Sequence, residues 1–402
     1  MIDVTRLAAE LPNVTGYIYP NEYELHWGIL IVVYPYLTGL VAGAFILASL
    51  ERVFKVKALQ PVYRLSLLTA FSFLLVAPLP LLAHLGHPER FSEMFLTPHT
   101  ESAMAMFGFV YAWYLMVVLL LEIWFDYRRD IVFWAKEKGG FVKYVYRFLT
   151  FGVSDTSDAA IRFDDKIGRV ITIIGIPSAF LLHGYVGFIF GSVKANPWWS
   201  SVLMPIVFLF SAIVSGIAIV LLIYMVSTMF RWKQVSMPCM NKLAELLFYA
   251  ILVDFSLEAL DFIQRLYESE ESINILSQMI SSRLFISLII SQVILGTLIP
   301  LVALAAARFG RIPDEMRRIM YLVAAVLVQV GIFSTRWNVV IGGQLFSKSL
   351  RGLTFYKLEL FGLEGLLASG ALIVLPFVIL FILVKLFSPW DRQEVDVTSS
   401  KA

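Results

Sequence analysis

The chain has 402 residues, of which 59% are hydrophobic and only 15% are charged, and its mean hydropathy is +0.79. A water-soluble core cannot bury this much apolar surface, so lipid must be the main solvent of the protein. The net charge of +2 is too small to indicate a nucleic-acid partner. The single cysteine, Cys239, excludes an intramolecular disulfide and any all-cysteine iron–sulfur cluster or zinc site made by this chain alone.

Long apolar stretches follow a short polar beginning. Residues 1–25 lack the apolar core and cleavage site of a secretory signal, and we expect them to remain as an external arm. A helix needs about 20 apolar residues to cross a hydrocarbon layer of about 30 Å. The sequence therefore predicts an all-α integral membrane protein with nine transmembrane helices, at residues 26–50, 61–84, 103–125, 167–191, 201–226, 242–264, 283–307, 317–342 and 362–387.

The predicted helices suggest an internal repeat. Residues Leu40 to Gly43 of the first helix resemble residues Ile213 to Gly216 of the fifth, which runs in the same direction, although such small residues are also typical of close helix packing. This arrangement predicts two four-helix bundles in parallel repeat plus a ninth helix. The units are an external arm, a first bundle, a second bundle, an external loop with the ninth helix and a cytoplasmic tail, at residues 1–25, 26–191, 192–342, 343–387 and 388–402.

The distribution of positive charge predicts the orientation. Lysine and arginine residues are concentrated in the loops that follow the odd-numbered helices, which indicates that these loops are cytoplasmic. The amino terminus is then outside and the carboxyl terminus is in the cytoplasm. Residues 128–166 form the longest loop, and its middle is typical of a basic amphipathic helix on the inner membrane face.

All histidines fall toward the predicted outer face. They are His26, His84, His87, His99 and His183. A cytochrome b that carries electrons across the membrane needs axial histidine pairs at two depths, so this distribution argues against a transmembrane haem ladder. A single outer haem, held by His84 or His87 together with His183, stays an alternative at this point.

Two of these histidines have the features of a site that exchanges protons or binds a quinone oxygen. His84 and His87 are three residues apart near the end of the second helix, so they are expected to share a helical face. His183 precedes Gly184 inside the fourth helix, where glycine lets a flat ring approach the backbone closely. Histidine donates to carbonyl oxygens and titrates near neutral pH, and a polar side chain inside an apolar helix is costly unless it faces a cavity or a partner. For Trp198 and Trp199, which follow the fourth helix, we favour an interfacial aromatic belt.

The sixth predicted helix carries three carboxylates on one stripe. Asp254, Glu258 and Asp261 cannot face lipid, so they should face the bundle interior and form either a structural ion-pair network or a proton path. Their expected partners on later helices are Gln292, Gln329, Arg336 and Glu364.

The assembled residues resemble the NrfD/PsrC family, the membrane subunits of polysulfide reductase-like enzymes, and within it the longer HybB-type branch. The resemblance rests on His26-Trp27-Gly28, Leu85 to Arg90, His183-Gly184-Tyr185, Asn196 to Trp199 and Arg336-Trp337-Asn338. It implies a haem-free subunit in a prokaryotic cytoplasmic membrane that binds menaquinone or ubiquinone near the outer ends of the first bundle. Its expected partners are a ferredoxin-like iron–sulfur subunit and, through it, a molybdenum or nickel–iron catalytic subunit.

The resemblance also suggests roles for individual residues. His84, His183 and Tyr185 are the expected catalytic residues, and the other expected quinone contacts are His26, Trp27, Tyr34, His87, Glu89 and Arg90. The resulting function is a quinone-reactive subunit of a respiratory oxidoreductase. The alternatives are a secondary transporter, for which intramembrane carboxylates are typical, and a passive membrane anchor of a peripheral redox complex.

Overall fold

A computed structural model describes residues 14–231, 234–268 and 272–390. Within these ranges the protein is built from long helices, which we label α1 to α9. Three of them contain a break or a π-helical stretch, in which the backbone bonds run to the fifth residue back. The helices are α1 (Ile29–Arg52), α2 (Gln60–Val76, continued by Leu79–His84), α3 (Ala103–Trp113, π-helical Tyr114–Leu119 and Leu120–Glu137), α4 (Asp158–Gly191), α5 (Met204–Phe230), α6 (Met237–Glu268), α7 (π-helical Phe285–Leu298 and α-helical Ile299–Phe309), α8 (Asp314–Val340) and α9 (Leu366–Leu386).

Among the described residues, eight helices are long and apolar enough to cross a membrane. The all-helical membrane fold predicted from the sequence is thereby confirmed. Helix α6 is not one of the eight although it has 32 residues, because ionisable side chains interrupt its apolar run.

Several predicted boundaries are wrong. Helix α1 begins at Ile29, so His26 and Trp27 precede it. The predicted loop 128–166 is largely helical, since α3 continues to Glu137 and α4 already begins at Asp158. Between them lies a short helix, Gly140–Leu149, where the amphipathic helix was expected. The Arg128 guanidinium bonds Asp164 across 2.6 Å, which holds these two helix extensions together beyond the apolar stretches.

Two close glycine contacts determine how the helices cross. A Cβ added to Gly216 of α5 would lie 2.3 Å from the carbonyl carbon of Gly43 in α1, so neither position has room for a side chain. Gly296 of α7 and Gly331 of α8 face each other in the same way. The small residues shared by the first and fifth helices therefore lie where these two helices touch.

The remaining helices pack around α1 and α5. Helices α2 and α4 pack along α1, α6 and α8 pack along α5, and α7 packs along α8. Helix α9 lies on α2, where Phe377 meets Phe73 edge to face at 5.2 Å between ring centres. One group of helices is therefore α1, α2 and α4, and the other is α5, α6, α7 and α8. Because α1 is almost fully buried, its side chains can contact both groups.

We name the two ends of this helix assembly by their residues. The histidine side is the end where α1 begins and carries His26, His84 and His87. The arginine side is the end where α1 finishes, near Arg52 and Arg64. On the histidine side, strand β1 (Thr15–Gly16) pairs antiparallel with β2 (Gly352–Leu353), which ties the amino-terminal arm to the loop before α9.

Candidate functional site

His183 lies at the contact between the two groups of helices. It is fully buried, and Gly39 of α1 leaves the space for it, since a Cβ at that position would lie 3.2 Å from the His183 ring. A Cβ at Gly184 would have only the Pro205 carbonyl oxygen nearby, at 3.8 Å, so the close approach of a flat ring expected there stays a prediction.

The hydrogen bonds of His183 define its tautomer. Nη2 of Arg336 lies 3.1 Å from Nε2 of His183. Because a guanidinium only donates, Nε2 must accept, and the proton of the neutral imidazole is then on Nδ1, 3.3 Å from the Thr38 hydroxyl oxygen. The Thr38 hydroxyl donates in turn to the carbonyl oxygen of Tyr34 at 3.2 Å. A hydrogen-bonded chain thus runs from α8 through α4 to α1.

Arg336 is a buried cation held mainly by neutral groups. It donates to the Ser211 hydroxyl at 2.6 Å, and its guanidinium lies over the Phe208 ring at 4.3 Å. Among the described residues, no carboxylate lies within salt-bridge distance of it, and its Nε and Nη1 have no hydrogen-bond partner. Asp254 and Glu258 interact with it electrostatically from a greater distance.

The three carboxylates of α6 face the protein interior, as the sequence predicted. Asp254 and Asp261 are buried. Glu258 accepts from the Gln292 amide at 3.1 Å and lies 3.5 Å from the Thr335 hydroxyl. Asp261 pairs with Arg265 one turn further along the same helix.

Only some of the expected partners meet these carboxylates. Gln292 contacts Glu258, but Gln329 instead accepts from the Tyr36 hydroxyl at 2.8 Å and donates to the Ser215 carbonyl. Glu364 lies at the histidine side, where its carboxylate is 2.7 Å from Nδ1 of His84. The expectation that Gln329 and Glu364 join the stripe is therefore wrong in geometry.

A cavity of about 290 Å³ lies beside the stripe, between α5, α6, α7 and α8. Glu258, Gln292 and Asn338 form one polar wall. Thr335 and the Asp261–Arg265 ion pair also line the cavity, and the other lining side chains are apolar. The Asn338 amide donates to the Gln292 side-chain oxygen at 2.7 Å.

Of the residues expected at the quinone site, two lie in one aromatic group, Tyr185 and Tyr34. Tyr34 is buried, and its hydroxyl has no hydrogen-bond partner. Phe107 meets the Tyr34 ring edge to face at 5.7 Å between centres and stacks on Tyr185 at 5.9 Å. We call Tyr34, Phe107 and Tyr185 the Tyr34 aromatic group.

His84 lies near the start of α1. Its short helix packs against α1, and its partner Glu364 reaches Gly28, where a Cβ would lie 3.3 Å from the carboxylate. The side chains of His84 and Glu364 are 23% and 47% exposed, so this pair can exchange protons with water. His87 lies beyond the end of the helix and therefore does not share a helical face with His84.

His26 and Trp27 line a cavity of about 390 Å³ on the histidine side. Trp27 stacks on Trp199 at 5.4 Å, and the Gln344 amide holds the backbone N–H and carbonyl of Trp27. The interfacial-belt interpretation of Trp198 and Trp199 is wrong, because both are buried and their indoles donate to carbonyl oxygens of α8.

The other expected contacts are exposed. His87 bonds Glu89 at 3.0 Å. Arg90 forms a bidentate salt bridge with Glu93, and these hydrogen bonds lower the pKa of the Glu93 carboxyl. None of these four side chains contacts the Tyr34 aromatic group, and their placement suits a docking surface.

Sequence reasoning missed several members of the buried site. Thr38, Phe208 and Ser211 gave no signal, because a hydroxyl or a phenyl ring in an apolar helix is common. Arg265 could have been found, since it follows Asp261 by four residues on the same helix. In the described part of the chain, no three His, Cys, Asp or Glu side chains are grouped to hold a metal ion.

Comparison with known proteins agrees with this architecture. The chain is 32% identical to a selenate reductase subunit of Mesobacillus selenatarsenatis over 322 residues, which cover 78% of this chain and 73% of the relative. It is 26% identical to a putative dimethyl sulfoxide reductase membrane subunit of Halobacterium salinarum, over 51% of this chain and 44% of the relative. It is also 23% identical to an Hdr-like menaquinol oxidoreductase integral membrane subunit of Archaeoglobus fulgidus, over 92% of this chain and 86% of the relative.

A family model described as polysulphide reductase, NrfD, matches residues 19–348. This range includes α1 to α8, and it contains the Tyr34 aromatic group, His183 and the carboxylate stripe. The chain is thus a multi-pass integral membrane protein, and it belongs to the NrfD family of polysulphide reductases.

Proposed function

We propose that this protein is the quinone-reactive membrane subunit of a respiratory oxidoreductase complex. It exchanges electrons between a membrane quinone and a partner iron–sulfur subunit. Membership of the NrfD family and relatives named as reductase subunits support a redox role. The main support for the quinone site is that the Tyr34 hydroxyl is buried without a hydrogen-bond partner, beside two further aromatic rings.

The residues around Tyr34 fit a quinone ring. A buried hydroxyl without a partner costs about 1–3 kcal/mol, and a quinone carbonyl would satisfy it. The rings of Phe107 and Tyr185 offer flat faces for stacking. When bound, menaquinone or ubiquinone supplies the two-electron and two-proton chemistry that this chain's own side chains lack.

The His84–Glu364 pair suits proton exchange with the histidine side. Its two side chains are partly exposed and lie at the start of α1, from which Tyr34 is one and a half turns away. His183 reaches the backbone of Tyr34 through Thr38, so it orients the site from within. We accordingly propose a positioning role for His183, instead of the catalytic role expected from the sequence, and the proton-transfer role for His84.

We further propose that α6 is a ninth membrane span. Its beginning contacts the start of α8, where Asn241 accepts from the Tyr321 hydroxyl at 3.0 Å. Near its other end, Arg265 contacts the backbone of Trp198, which precedes α5. The helix thus runs the full depth of its neighbours, which supports two four-helix bundles plus α9. The concentration of lysine and arginine in the loops of the arginine side supports placing the histidine side outside and the carboxyl terminus in the cytoplasm.

The carboxylate stripe supports a proton path as a second part of the function. Glu258 is bonded only to neutral groups, and Asp254 has an oxygen without a hydrogen-bond partner. Groups held in this way can change protonation more readily than a saturated ion pair. The competing role is a structural network that holds α6 to α7 and α8.

Replacing Tyr34 by Phe tests the quinone site directly. We expect the KM for quinone to rise about fivefold, since one neutral hydrogen bond contributes about 1 kcal/mol. Tyr114→Phe is the matched control, because Tyr114 is also buried with a hydroxyl that has no hydrogen-bond partner but lies against Phe45, away from Phe107. Equal kinetics in the two variants would remove Tyr34 from the site.

Purification of the native complex tests the wider proposal. We expect an iron–sulfur subunit, a molybdenum or nickel–iron subunit and quinone to co-purify, and the isolated chain to show no haem absorption. A passive anchor would bring the subunits without quinone, and a transporter would bring neither. A stoichiometric haem spectrum would revive the cytochrome alternative.

A further inference from the structure

The cavity between α6 and α7 has the features of a ligand site separate from the Tyr34 aromatic group. Its volume of about 290 Å³ is near the lower end of ligand pockets, which span roughly 300–1,000 Å³. Its walls come from four helices of the second half of the chain. Neither the expected quinone contacts nor His183 line it.

The cavity lies behind the outward faces of α6 and α7, near the end of α6 where Arg265 contacts Trp198. The side chains at its edge, Phe255 and Phe262 of α6 and Ile289 and Val293 of α7, are half-buried. Beyond them the helices present exposed apolar side chains, such as Leu260, which is 57% exposed. These apolar outward faces suit contact with lipid, the phase through which an apolar molecule would reach the cavity.

The backbone of α7 is irregular where it lines the cavity. Residues Phe285–Leu298 are π-helical, and this stretch contains Leu288, Gln292 and Val293 of the cavity wall. Long π-helical runs are rare, and shorter ones often mark functional sites, because the altered spacing redirects side chains. Here the stretch holds Gln292 against Glu258 and Asn338.

The polar wall offers hydrogen-bond acceptors in an otherwise apolar cavity. The Asn338 side-chain oxygen is buried without a partner, in a residue that is 2% exposed. The Glu258 carboxylate also faces the cavity. Within this wall Gln292 donates to Glu258 and Asn338 donates to Gln292, so the acceptor oxygens of Asn338 and Glu258 are the groups that a donating ligand would satisfy.

We propose that this cavity binds the headgroup of a quinol, with its two ring hydroxyls donating to Asn338 and Glu258. A quinol comes from lipid, has a flat apolar ring and carries donors at opposite ends. A lipid acyl chain would leave the buried Asn338 oxygen unsatisfied, and water would solvate only one wall of so apolar a space. The proposal concerns binding alone and rests on the proposed function, because it supposes a quinol-using complex.

The cavity is also in contact with the buried link between the two bundles. Phe208 lines it, lies under the Arg336 guanidinium and stacks on the His183 ring at 5.7 Å. An occupant is therefore one aromatic ring away from His183, which contacts α1. This position allows occupancy here to influence the first site.

Counting bound quinol in the complete complex, held in lipid nanodiscs, tests the proposal. The probes are tail-less naphthoquinol and benzoquinol, measured in parallel by equilibrium dialysis. We expect two molecules per chain in the wild type. Ala259→Phe should fill the cavity and weaken one of them about tenfold or more, while Leu260→Phe, on the adjacent exposed position, should leave both in place.

A second pair of variants protects the test against misfolding. Val293→Phe fills the cavity from α7, and Ile286→Phe adds the same ring at a position that is 73% exposed. If only one molecule binds, and Tyr34→Phe alone weakens it, the second site does not exist and the proposed function stands. If Ala259→Phe and Val293→Phe weaken binding but Tyr34→Phe does not, the cavity site stands and the Tyr34 site fails. Displacement of phospholipid instead of quinol by Ala259→Phe would overturn the inference.

Discussion

Two clusters of buried charge in this protein are built in opposite ways. On the arginine side, Asp126 is held between Arg52 at 3.0 Å and Arg64 at 2.7 Å, and Arg64 also reaches Asp130 at 2.7 Å. In the second half of the chain, Asp254 and Glu258 interact with Arg336 only from a distance, and Glu258 is bonded to neutral groups. The first cluster pairs opposite charges directly, and the second keeps them apart.

This difference indicates different purposes. A directly paired charge loses its partner's stabilisation when it changes protonation, so a cluster such as that of Asp126 serves to hold α1, α2 and α3 together. Charges bonded to hydroxyls and amides leave room for a proton or a ligand to be exchanged. Under the proposed function, this contrast would separate a structural cluster from a chemical one within a single chain.

The largest effect is expected from breaking the Asp126 cluster. Asp126→Asn leaves Arg52 and Arg64 buried without their shared carboxylate, which costs about 3–5 kcal/mol for such a pair. We expect a greatly reduced yield and a lower unfolding temperature in detergent, with normal turnover in the fraction that assembles. Asp130→Asn is the control, since the Asp130 side chain is 20% exposed and should matter less. A stable Asp126→Asn variant would contradict the structural assignment.

A smaller effect on stability but a large one on turnover is expected from His183. His183→Ala removes the link between Arg336 and Thr38, and we expect quinol-linked turnover to fall more than about tenfold, a loss of roughly 1.4 kcal/mol or more. The complex should survive, because Arg336 keeps its bond to Ser211. Ser211→Ala, which removes the other partner of Arg336, should slow turnover less. If turnover of the His183 variant stays near wild type, this residue serves packing alone.

Replacing Glu258 distinguishes the two proposed roles of the carboxylate stripe, a proton path and a structural network. If the stripe conducts protons, Glu258→Gln should leave electron transfer to quinone measurable in detergent and abolish the accompanying proton movement in sealed vesicles. If it is a structural network, the same change should lower the unfolding temperature and leave the proton-to-electron ratio unaltered. Gln329→Leu, outside the stripe and bonded to Tyr36, provides a control for general disturbance of the α8 interior.

The sequence predicted the membrane fold, and it predicted that the carboxylate stripe faces the protein interior, because both depend on local patterns. Hydropathy identifies helices, and the spacing of Asp254, Glu258 and Asp261 places them on one face of a helix. The resemblance to the NrfD family likewise rested on short motifs whose order can be read directly, and it is confirmed.

The pairings between distant helices could not be predicted. Arg336 was expected to meet the carboxylates but bonds His183, 153 positions away in sequence, and Glu364 was expected in the second bundle but bonds His84. Such choices depend on helix rotation and crossing, which are set here by glycine contacts such as that of Gly43 with Gly216. The aromatic surroundings of Tyr34 were missed for the same reason, since Phe107 carried no polar signal.

The smallest effect is expected at the exposed pair of Arg90 and Glu93. Both side chains are largely exposed, at 62% and 49%, so solvent screens their attraction and the unfolding temperature of Arg90→Gln should match that of the wild type at neutral pH. The Arg90 guanidinium lowers the pKa of the Glu93 carboxyl, so whatever the pair contributes is present above the usual carboxyl pKa and is lost as the pH falls. What should change is docking: we expect weaker retention of the iron–sulfur subunit by Arg90→Gln at raised salt, measured by co-purification. Arg351→Gln, also exposed on the histidine side but on the loop before α9, is the matched control. Equal retention in both variants would mean that this part of the histidine side is not the docking surface. Arg90 would then be an exposed charge with no measurable role in stability or in docking.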